Sequence, residues 1–164
     1  FRLEQVAETL DHENGRGWFQ LYWSSDRAIT ASLVDRAEDA GFEALVVTLD
    51  TPLLSWRERD IEDAYLPFLD GEGLENYLGD PAFLERLDAD PAENELAAIR
   101  EFVDIFGDPS LTWDDLEWLV DRTDLPVVVK GGAAVRYDRV VEVLDVLQRV
   151  AVHSLGLVTR RLVK

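Results

Sequence analysis

Hydrophobic and polar residues follow two periods along the chain, and these periods predict helices and strands in turn. Apolar residues three or four positions apart predict helices over residues 2–10, 27–40, 93–106, from 112 onward and over about 135–149. Short apolar runs rich in β-branched or aromatic residues predict strands over residues 18–23, 44–49, 125–131 and 155–158. This order of elements predicts an α/β fold with about four parallel strands.

The first two strands and the helix between them form a predicted βαβ unit, so we expect the strands to lie parallel. Residues 18–23 are predicted to be a largely buried, aromatic strand. Asp26 can cap the start of the following helix, and Gly41 can cap its end. The run at 44–47 is too short for a helix and is typical of a strand buried on both faces.

A long insert follows the second strand. Prolines and glycines interrupt residues 51–92, so this stretch is predicted to be irregular. A connection of that length inside a compact domain is usually a functional loop or lid. The helix predicted over 93–106 then buries one face, formed by Leu96, Ile99, Val103 and Phe106.

Polar residues end three of the predicted strands: Gln20 and Tyr22, then Thr48 and Asp50, then Lys130. In a parallel sheet these ends fall on one side, where α/β proteins bind ligands. Amide and hydroxyl groups suit hydrogen bonds to a heteroaromatic ring, and a lysine stabilises an anion. Arg57, in the loop after the second strand, can clamp a carboxylate. Taken singly, the same residues suit other roles: Tyr22 a core position, Asp50 a turn cap, Arg57 a solvated charge.

The composition excludes several classes of protein. A net charge of −18 argues against partners such as nucleic acid or anionic membranes. There is no cysteine and there are two histidines, which excludes thiolate and histidine-rich metal sites. No apolar run approaches the ~20 residues that cross a membrane, and no signal peptide is visible. The acidic, lysine-poor composition, with Lys130 and Lys164 as its lysines, predicts a cytoplasmic protein of a halophile. A start at Phe1 and the lack of methionine suggest a fragment or excised domain.

Four motifs resemble the FMN-dependent α-hydroxy-acid oxidoreductases, which include glycolate oxidase, lactate oxidase and lactate 2-monooxygenase. They are WFQLYW at 18–23, VVTLDTP with WRERD at 46–60, TWDDLEWL at 112–119 and LPVVVKG at 125–131. The insert, with YLPFL and NYLGDPAF, looks most like the lactate 2-monooxygenase branch. The resemblance covers residues 1–131 and implies the middle strands of a (β/α)8 TIM barrel.

The resemblance also implies a role for each polar strand end. Gln20 and Thr48 match residues that contact the flavin ring of FMN. Lys130 matches the lysine beside the flavin N1/C2 carbonyl, where positive charge stabilises the reduced, anionic flavin.

The remaining matches concern the substrate, a small 2-hydroxy acid such as L-lactate. Tyr22 matches a tyrosine whose hydroxyl touches the substrate. Arg57 matches one of two arginines that bind the substrate carboxylate. Asp50 matches the carboxylate that pairs with the catalytic histidine.

The family pattern stops after Gly131. The strand carrying SNHG and RQ, which supplies the catalytic base and the second arginine, is missing, and so are the phosphate-binding strands. His153 precedes a predicted strand instead of ending it, so we expect a surface histidine. Residues 131–161 instead resemble the C-terminal end of the ExbD/TolR proteins. We therefore expect two parts: 1–131, a partial barrel, and 132–164, a helix and strand of different origin.

Three functions remain open. The first is a chain derived from an FMN-dependent 2-hydroxy-acid oxidase or monooxygenase that is inactive alone. The second is a non-catalytic, acidic α/β domain that self-associates, as a homo-oligomer, through exposed strand edges. The third is an ExbD/TolR-like coupling module, which would require a location in the cell envelope.

Overall fold

The computed structural model describes residues 1–48, 72–130, 138 and 141–145. The helices and strands are α1 (Leu3–His12), β1 (Trp18–Leu21), α2 (Arg27–Asp39), β2 (Ala44–Thr48), α3 (Glu75–Leu78), α4 (Pro81–Leu84), α5 (Glu95–Ile105), α6 (Trp113–Arg122) and β3 (Val127–Lys130). Residues 138 and 141–145 are also helical, within the helix predicted over 135–149. The strand predicted at 155–158 lies outside the described residues.

The three described strands form one sheet in the order β1-β2-β3. Both pairs are parallel, with Trp18 opposite Ala44 and Leu45 opposite Val127. The α/β class with parallel strands is thereby confirmed for this part of the chain. Because β2 lies between the other two strands, its residues Leu45 and Val47 are fully buried.

Helix α2 begins and ends where the sequence predicts. The Asp26 carboxylate accepts a hydrogen bond from Ala28 N at 2.8 Å, which satisfies one of the free N–H groups of the first turn. At the other end Gly41 has φ +84°, a left-handed conformation that suits glycine. Phe42 N then donates to Ala37 O at 3.1 Å, so the chain reverses directly into β2.

The insert is more regular than predicted, because α3 and α4 lie within its described part. The buried Asp80 begins α4 by accepting from Ala82 N and Phe83 N at 2.9 and 3.2 Å, and Pro81 occupies the first helical position. The ring of Tyr77 contacts those of Phe83 and Phe102, with centroids 5.7 and 4.8 Å away. Burial raises the pKa of the Tyr77 hydroxyl above its ordinary value.

A charged cluster joins the insert to the first two helices. Asp80, fully buried, accepts from Arg36 Nη1 and from Ser32 Oγ, each at 2.8 Å. Arg36 also donates to the Asn76 carbonyl at 2.8 Å and to Glu4 Oε1 at 2.7 Å. We call Glu4, Arg36 and Asp80 the Arg36 cluster. It links α1, α2 and the start of α4.

Three predictions of burial are wrong in detail. In β1, Trp18 is 58% exposed, because this strand has a single neighbour in the described sheet. The apolar run at 125–131 likewise predicts a buried strand, but residues 127–129 of β3 are half-buried for the same reason. In α5, Leu96 and Val103 face solvent, because contact with the insert turns another face inward. The residues buried on that face are Ala98, Ile99, Phe102 and Ile105.

Candidate functional site

Three of the polar residues predicted at the strand ends lie together. Gln20 Nε2 donates hydrogen bonds to Thr48 Oγ1 at 2.8 Å and to Tyr22 Oη at 3.2 Å. Gln20 lies on β1 and Thr48 ends β2, and the parallel register brings these strands side by side. Thr48 is buried, whereas the Gln20 side chain remains accessible. We call these residues the Gln20 cluster.

The hydrogen bonds fix what the Gln20 cluster offers to a ligand. The amide nitrogen of Gln20 donates to both hydroxyl oxygens, so each hydroxyl keeps its own hydrogen for a further acceptor. The amide oxygen is an acceptor beside them. The two hydroxyl donors and the amide acceptor lie side by side above the buried Thr48. They match the edge of a planar heterocycle, which carries carbonyl oxygens and ring N–H groups.

Contacts behind Tyr22 hold the cluster in place. The Tyr22 ring packs against Phe106 with centroids 5.8 Å apart. The chain just after Tyr22 is joined to the end of α5: Ser24 Oγ donates to Ile105 O at 3.1 Å, and Gly107 N donates to Trp23 O at 3.1 Å. The sequence points to Ser24 only as a neighbour of a helix cap. The sequence pattern does not indicate that Ser24 is buried or that it contacts the end of α5.

Lys130 is the last residue of β3, and its backbone lies opposite Thr48 in the register of β2 and β3. Neighbouring strands lie about 4.8 Å apart, so the backbone of Lys130 is at the same end of the sheet as the Gln20 cluster. Asp50, Arg57 and His153 lie outside the described residues, and their roles stay predictions. Within the described part of the chain, no group of three or more His, Asp or Glu side chains could hold a metal ion.

The helices of the described ranges include none that is both long and apolar enough to cross a bilayer. The structure thus presents a parallel α/β sheet with a hydrogen-bonding cluster at the carboxyl ends of its strands. The arrangement is that of the α/β proteins, a class that binds ligands at the carboxyl ends of parallel strands.

Comparison with known proteins identifies the family. The sequence pattern described as FMN-dependent dehydrogenase matches residues 1–139, and the chain belongs to this family. An L-lactate oxidase of Lysinibacillus sphaericus is 40% identical over 131 residues, which cover 80% of this chain and 33% of that protein. A 2-hydroxyacid oxidase of Dictyostelium discoideum is 40% identical over 128 residues, covering 77% of this chain and 30% of the relative.

Solved structures agree on the fold. The flavin-binding domain of baker's yeast flavocytochrome b2 matches with a TM-score of 0.59 and 30% identity, over 89% of this chain and 28% of that one. Mandelate oxidase matches with a TM-score of 0.56 and 32% identity, over 88% of this chain and 34% of its own. The chain therefore spans about a third of the length of the relatives it matches.

FMN is the cofactor of the family. The amide and hydroxyl groups of the Gln20 cluster fit the polar edge of its flavin ring.

Proposed function

We propose that this chain derives from an FMN-dependent 2-hydroxy-acid oxidase or monooxygenase of the L-lactate type and forms one half of its active site. The Gln20 cluster carries the proposal, because three residues that match flavin and substrate contacts are joined by hydrogen bonds at the strand ends. The names of the relatives, which include L-lactate oxidase and 2-hydroxyacid oxidase, support the substrate class.

The cofactor-binding roles are those that the family resemblance implies, and the chemistry of the side chains suits them. Gln20 and Thr48 hydrogen-bond to the polar edge of the flavin ring. Lys130, from the neighbouring strand, places a positive charge near the same ring. When bound, FMN supplies the electron acceptor for oxidation of the hydroxy acid. The protein residues orient the ring and shield it from water.

The substrate-binding roles fall on the other predicted residues. Tyr22 directs its free hydroxyl hydrogen to the substrate, which the geometry of the Gln20 cluster permits. Arg57 binds the substrate carboxylate, and Asp50 orients a catalytic histidine. The 164 residues contain no SNHG motif to supply that histidine. We expect the chain alone to lack significant turnover, since loss of a general base typically costs ~10²–10⁴-fold.

A flavin titration tests the proposal. FMN and riboflavin are added separately to the purified chain, and quenching of flavin fluorescence is followed. We expect both flavins to bind with similar affinity, because the proposed contacts are made to the ring and the 164 residues contain no motif of the family's phosphate-binding strands. Thr48→Val keeps the shape of the side chain and removes its hydroxyl, so it should weaken both flavins by about two- to tenfold.

Thr9→Val is the matched control, since Thr9 lies on α1 and bonds to its own helix through Gln5 O. It should leave both affinities unchanged. Absence of saturable flavin binding, or equal binding by the Thr48→Val chain, would contradict the proposed ring contacts. Turnover of L-lactate at an enzymatic rate by the chain alone would contradict the proposed inactivity.

Exposed surface on β1 supports a second candidate, a non-catalytic domain that assembles with itself. Strand β1 has one neighbour in the described sheet, and Trp18 on it is 58% exposed. Unpaired strand edges with apolar side chains favour association. Light scattering in molar KCl should then report an oligomer, and Trp18→Lys should return it to the monomer. The two candidates are compatible, because one concerns the strand ends and the other a strand edge.

Two further proposals concern the whole chain. The first is that residues 132–164 have a different origin from the barrel-derived part: the last family motif ends at Gly131, and the match to the family as a whole ends shortly after it, at residue 139. The acidic, lysine-poor composition supports a cytoplasmic location in a halophile, where high salt screens the charge of −18.

A further inference from the structure

A row of aromatic rings leads from the insert to the strand ends. Ring centroids along it are 4.8, 5.2 and 5.8 Å apart, in the order Tyr77, Phe102, Phe106 and Tyr22. These separations are typical of attractive ring pairs, whose centroids lie about 4.5–7 Å apart. We call these four residues the aromatic row. It joins α3, in the insert, and α5 to the tyrosine of the Gln20 cluster.

The aromatic row is anchored in the core at one end and open at the other. Tyr77 and Phe102 are 7% and 1% exposed, so close packing fixes their rings. Phe106 and Tyr22 are half-buried. A half-buried tyrosine has room for other rotamers, so the ring that it packs against decides where its hydroxyl lies. Phe106 is such a ring, and it is itself supported by the buried Phe102.

Backbone hydrogen bonds hold Phe106 against the segment that follows β1. On one side of it, Ile105 O accepts from Ser25 N at 2.9 Å. On the other side, Gly107 N donates to Trp23 O at 3.1 Å. Gly107 has φ +78°, a left-handed conformation that suits glycine and turns the chain at the end of α5. Phe106 therefore has a fixed position relative to the segment that carries the site tyrosine.

The Tyr22 hydroxyl depends on this support more than the Thr48 hydroxyl does. Gln20 Nε2 donates to Tyr22 Oη at 3.2 Å, at the upper end of the usual range of about 2.7–3.2 Å. A small movement of the Tyr22 ring breaks this bond. The bond from Gln20 to Thr48, at 2.8 Å, does not involve the aromatic row.

We propose that Phe106 is a positioning residue that holds the Tyr22 hydroxyl at Gln20, and that the insert acts on the candidate site through the aromatic row. The contact of Tyr22 with a substrate rests on the proposed function, whereas the position of its hydroxyl does not. That position is measured without flavin or substrate, so the failure of this inference and the failure of that function are distinguishable.

The side-chain amide signals of Gln20 report the hydrogen bond in an NMR spectrum of the full ¹⁵N-labelled chain. They are identified by their loss in Gln20→Glu. Tyr22→Phe removes the acceptor and keeps the ring, so its effect on these signals defines the loss of the bond. We expect Phe106→Leu to shift the signals in the same direction. In the Tyr22→Phe chain, Phe106→Leu should add no further shift, because Phe106 acts through the hydroxyl.

Two buried phenylalanines form a matched pair for the rest of the row. Phe102 and Phe83 are each 1% exposed, and each packs on the Tyr77 ring, at 4.8 and 5.7 Å. Phe102 in addition contacts Phe106 at 5.2 Å. Phe102→Leu should therefore shift the Gln20 signals, whereas Phe83→Leu, which removes a similar amount of packing, should leave them in place.

Conservative variants separate the ring from its bulk. Phe106→Tyr keeps the ring and should leave the Gln20 signals unchanged. Phe106→Met replaces the ring by a flexible side chain of similar volume, and it carries the same prediction as Phe106→Leu if that chain does not fold.

Three results would overturn the proposal. The first is that Phe106→Leu or Tyr22→Phe leaves the Gln20 signals where they are in the unmodified chain. The second is that Phe106→Leu causes the same shift with and without the Tyr22 hydroxyl, since it would then act directly. The third is that Phe102→Leu and Phe83→Leu shift the signals equally.

Discussion

Gln20 controls which groups the strand ends present to a ligand, because its amide donates to two hydroxyl oxygens at once. Gln20→Glu replaces this donor with a carboxylate, which only accepts. The hydroxyls of Thr48 and Tyr22 would then turn their hydrogens toward position 20. We expect roughly tenfold or greater loss of FMN affinity in the fluorescence titration, because two free donors disappear and a negative charge arrives.

Gln5→Glu is a suitable control for this substitution. Gln5 lies on α1, and its amide oxygen accepts from Arg2 N at 2.9 Å, away from the strand ends. The change adds the same charge to the chain. Equal loss of FMN affinity in both variants would mean that net charge, and not the Gln20 hydrogen bonds, governs flavin binding.

Asp115 gives a prediction for the dependence of stability on pH. Hydrogen bonding from the Thr112 backbone N–H, together with the Arg27 guanidinium, lowers the pKa of Asp115. A lowered folded-state pKa stabilises the fold above the unfolded value of about 3.9, and this contribution is lost as the pH falls through the folded value. Asp115→Asn should therefore be less stable than the unmodified chain at pH 7, and the gap should close below about pH 4.

Urea denaturation across this pH range measures the gap. Asp114→Asn removes the same charge from the same helical turn of α6. It should show a smaller gap, because the Thr112 and Arg27 contacts belong to Asp115. A constant difference between Asp115→Asn and the unmodified chain down to pH 2 would argue against this account of its pKa.

At the level of elements, the Arg36 cluster ties the insert to α1 and α2. Asp80 is fully buried and both caps α4 and pairs with Arg36. Removing one partner of a buried pair typically costs about 3–5 kcal/mol, so we expect Asp80→Ala to lower the free energy of unfolding by about that much. Asp80→Asn keeps the capping oxygen and should cost less.

Glu4 supplies the matched control, since it pairs with the same arginine but its side chain is 46% exposed. Exposed ion pairs contribute about 0–1 kcal/mol, so Glu4→Gln should be nearly neutral in the same urea denaturation. If Glu4→Gln and Asp80→Ala lower the free energy of unfolding equally, burial does not explain the contribution of the Asp80–Arg36 pair to stability.

The sequence predicts those elements best whose signals are local. Helix α2 carries its own cap at Asp26 and its own stop at Gly41, and β2 is an uninterrupted apolar run, so both appear where expected. In α5 the apolar residues outnumber those that one face can bury. Contact with α3 and α4 decides which of them turn inward, and a pattern along one helix does not contain that information.

The same contrast between local signals and contacts of distant segments applies to the candidate site. Gln20 and Thr48 are predictable because strand ends in a parallel sheet converge, whatever the connections between them. The packing of Phe106 on Tyr22 and the bonds of Ser24 to the end of α5 depend on how distant segments meet. The role of Asp80 as a helix cap is also predictable from the sequence, since an acidic residue before a proline is a signal for the start of a helix.

For the whole molecule, the charge of −18 predicts that salt stabilises the fold. Repulsion between exposed carboxylates extends about 10 Å at 0.1 M salt and about 3 Å at 1 M. The midpoint of thermal unfolding should therefore rise between 0.1 and 2 M KCl, by about 2–4 °C for each kcal/mol of repulsion removed. Calorimetry measures the shift.

The same measurement near the isoelectric point, about pH 4.3, provides its control. The net charge there is close to zero, so the effect of KCl should largely disappear. A rise of equal size at both pH values would indicate that salt acts on apolar surface and not on charge repulsion.

The register of the sheet has a consequence for the order of folding. Trp18 pairs with Ala44 across a short stretch of chain, whereas Leu45 pairs with Val127 across a much longer one. Closing the longer loop costs about 1 kcal/mol more in chain entropy, so we expect β1, α2 and β2 to assemble first and β3 to join late. In stopped-flow experiments Val47→Ala should slow folding, while Val128→Ala should mainly accelerate unfolding. The strand that brings Lys130 to the site would then be the last to arrive and the first to leave.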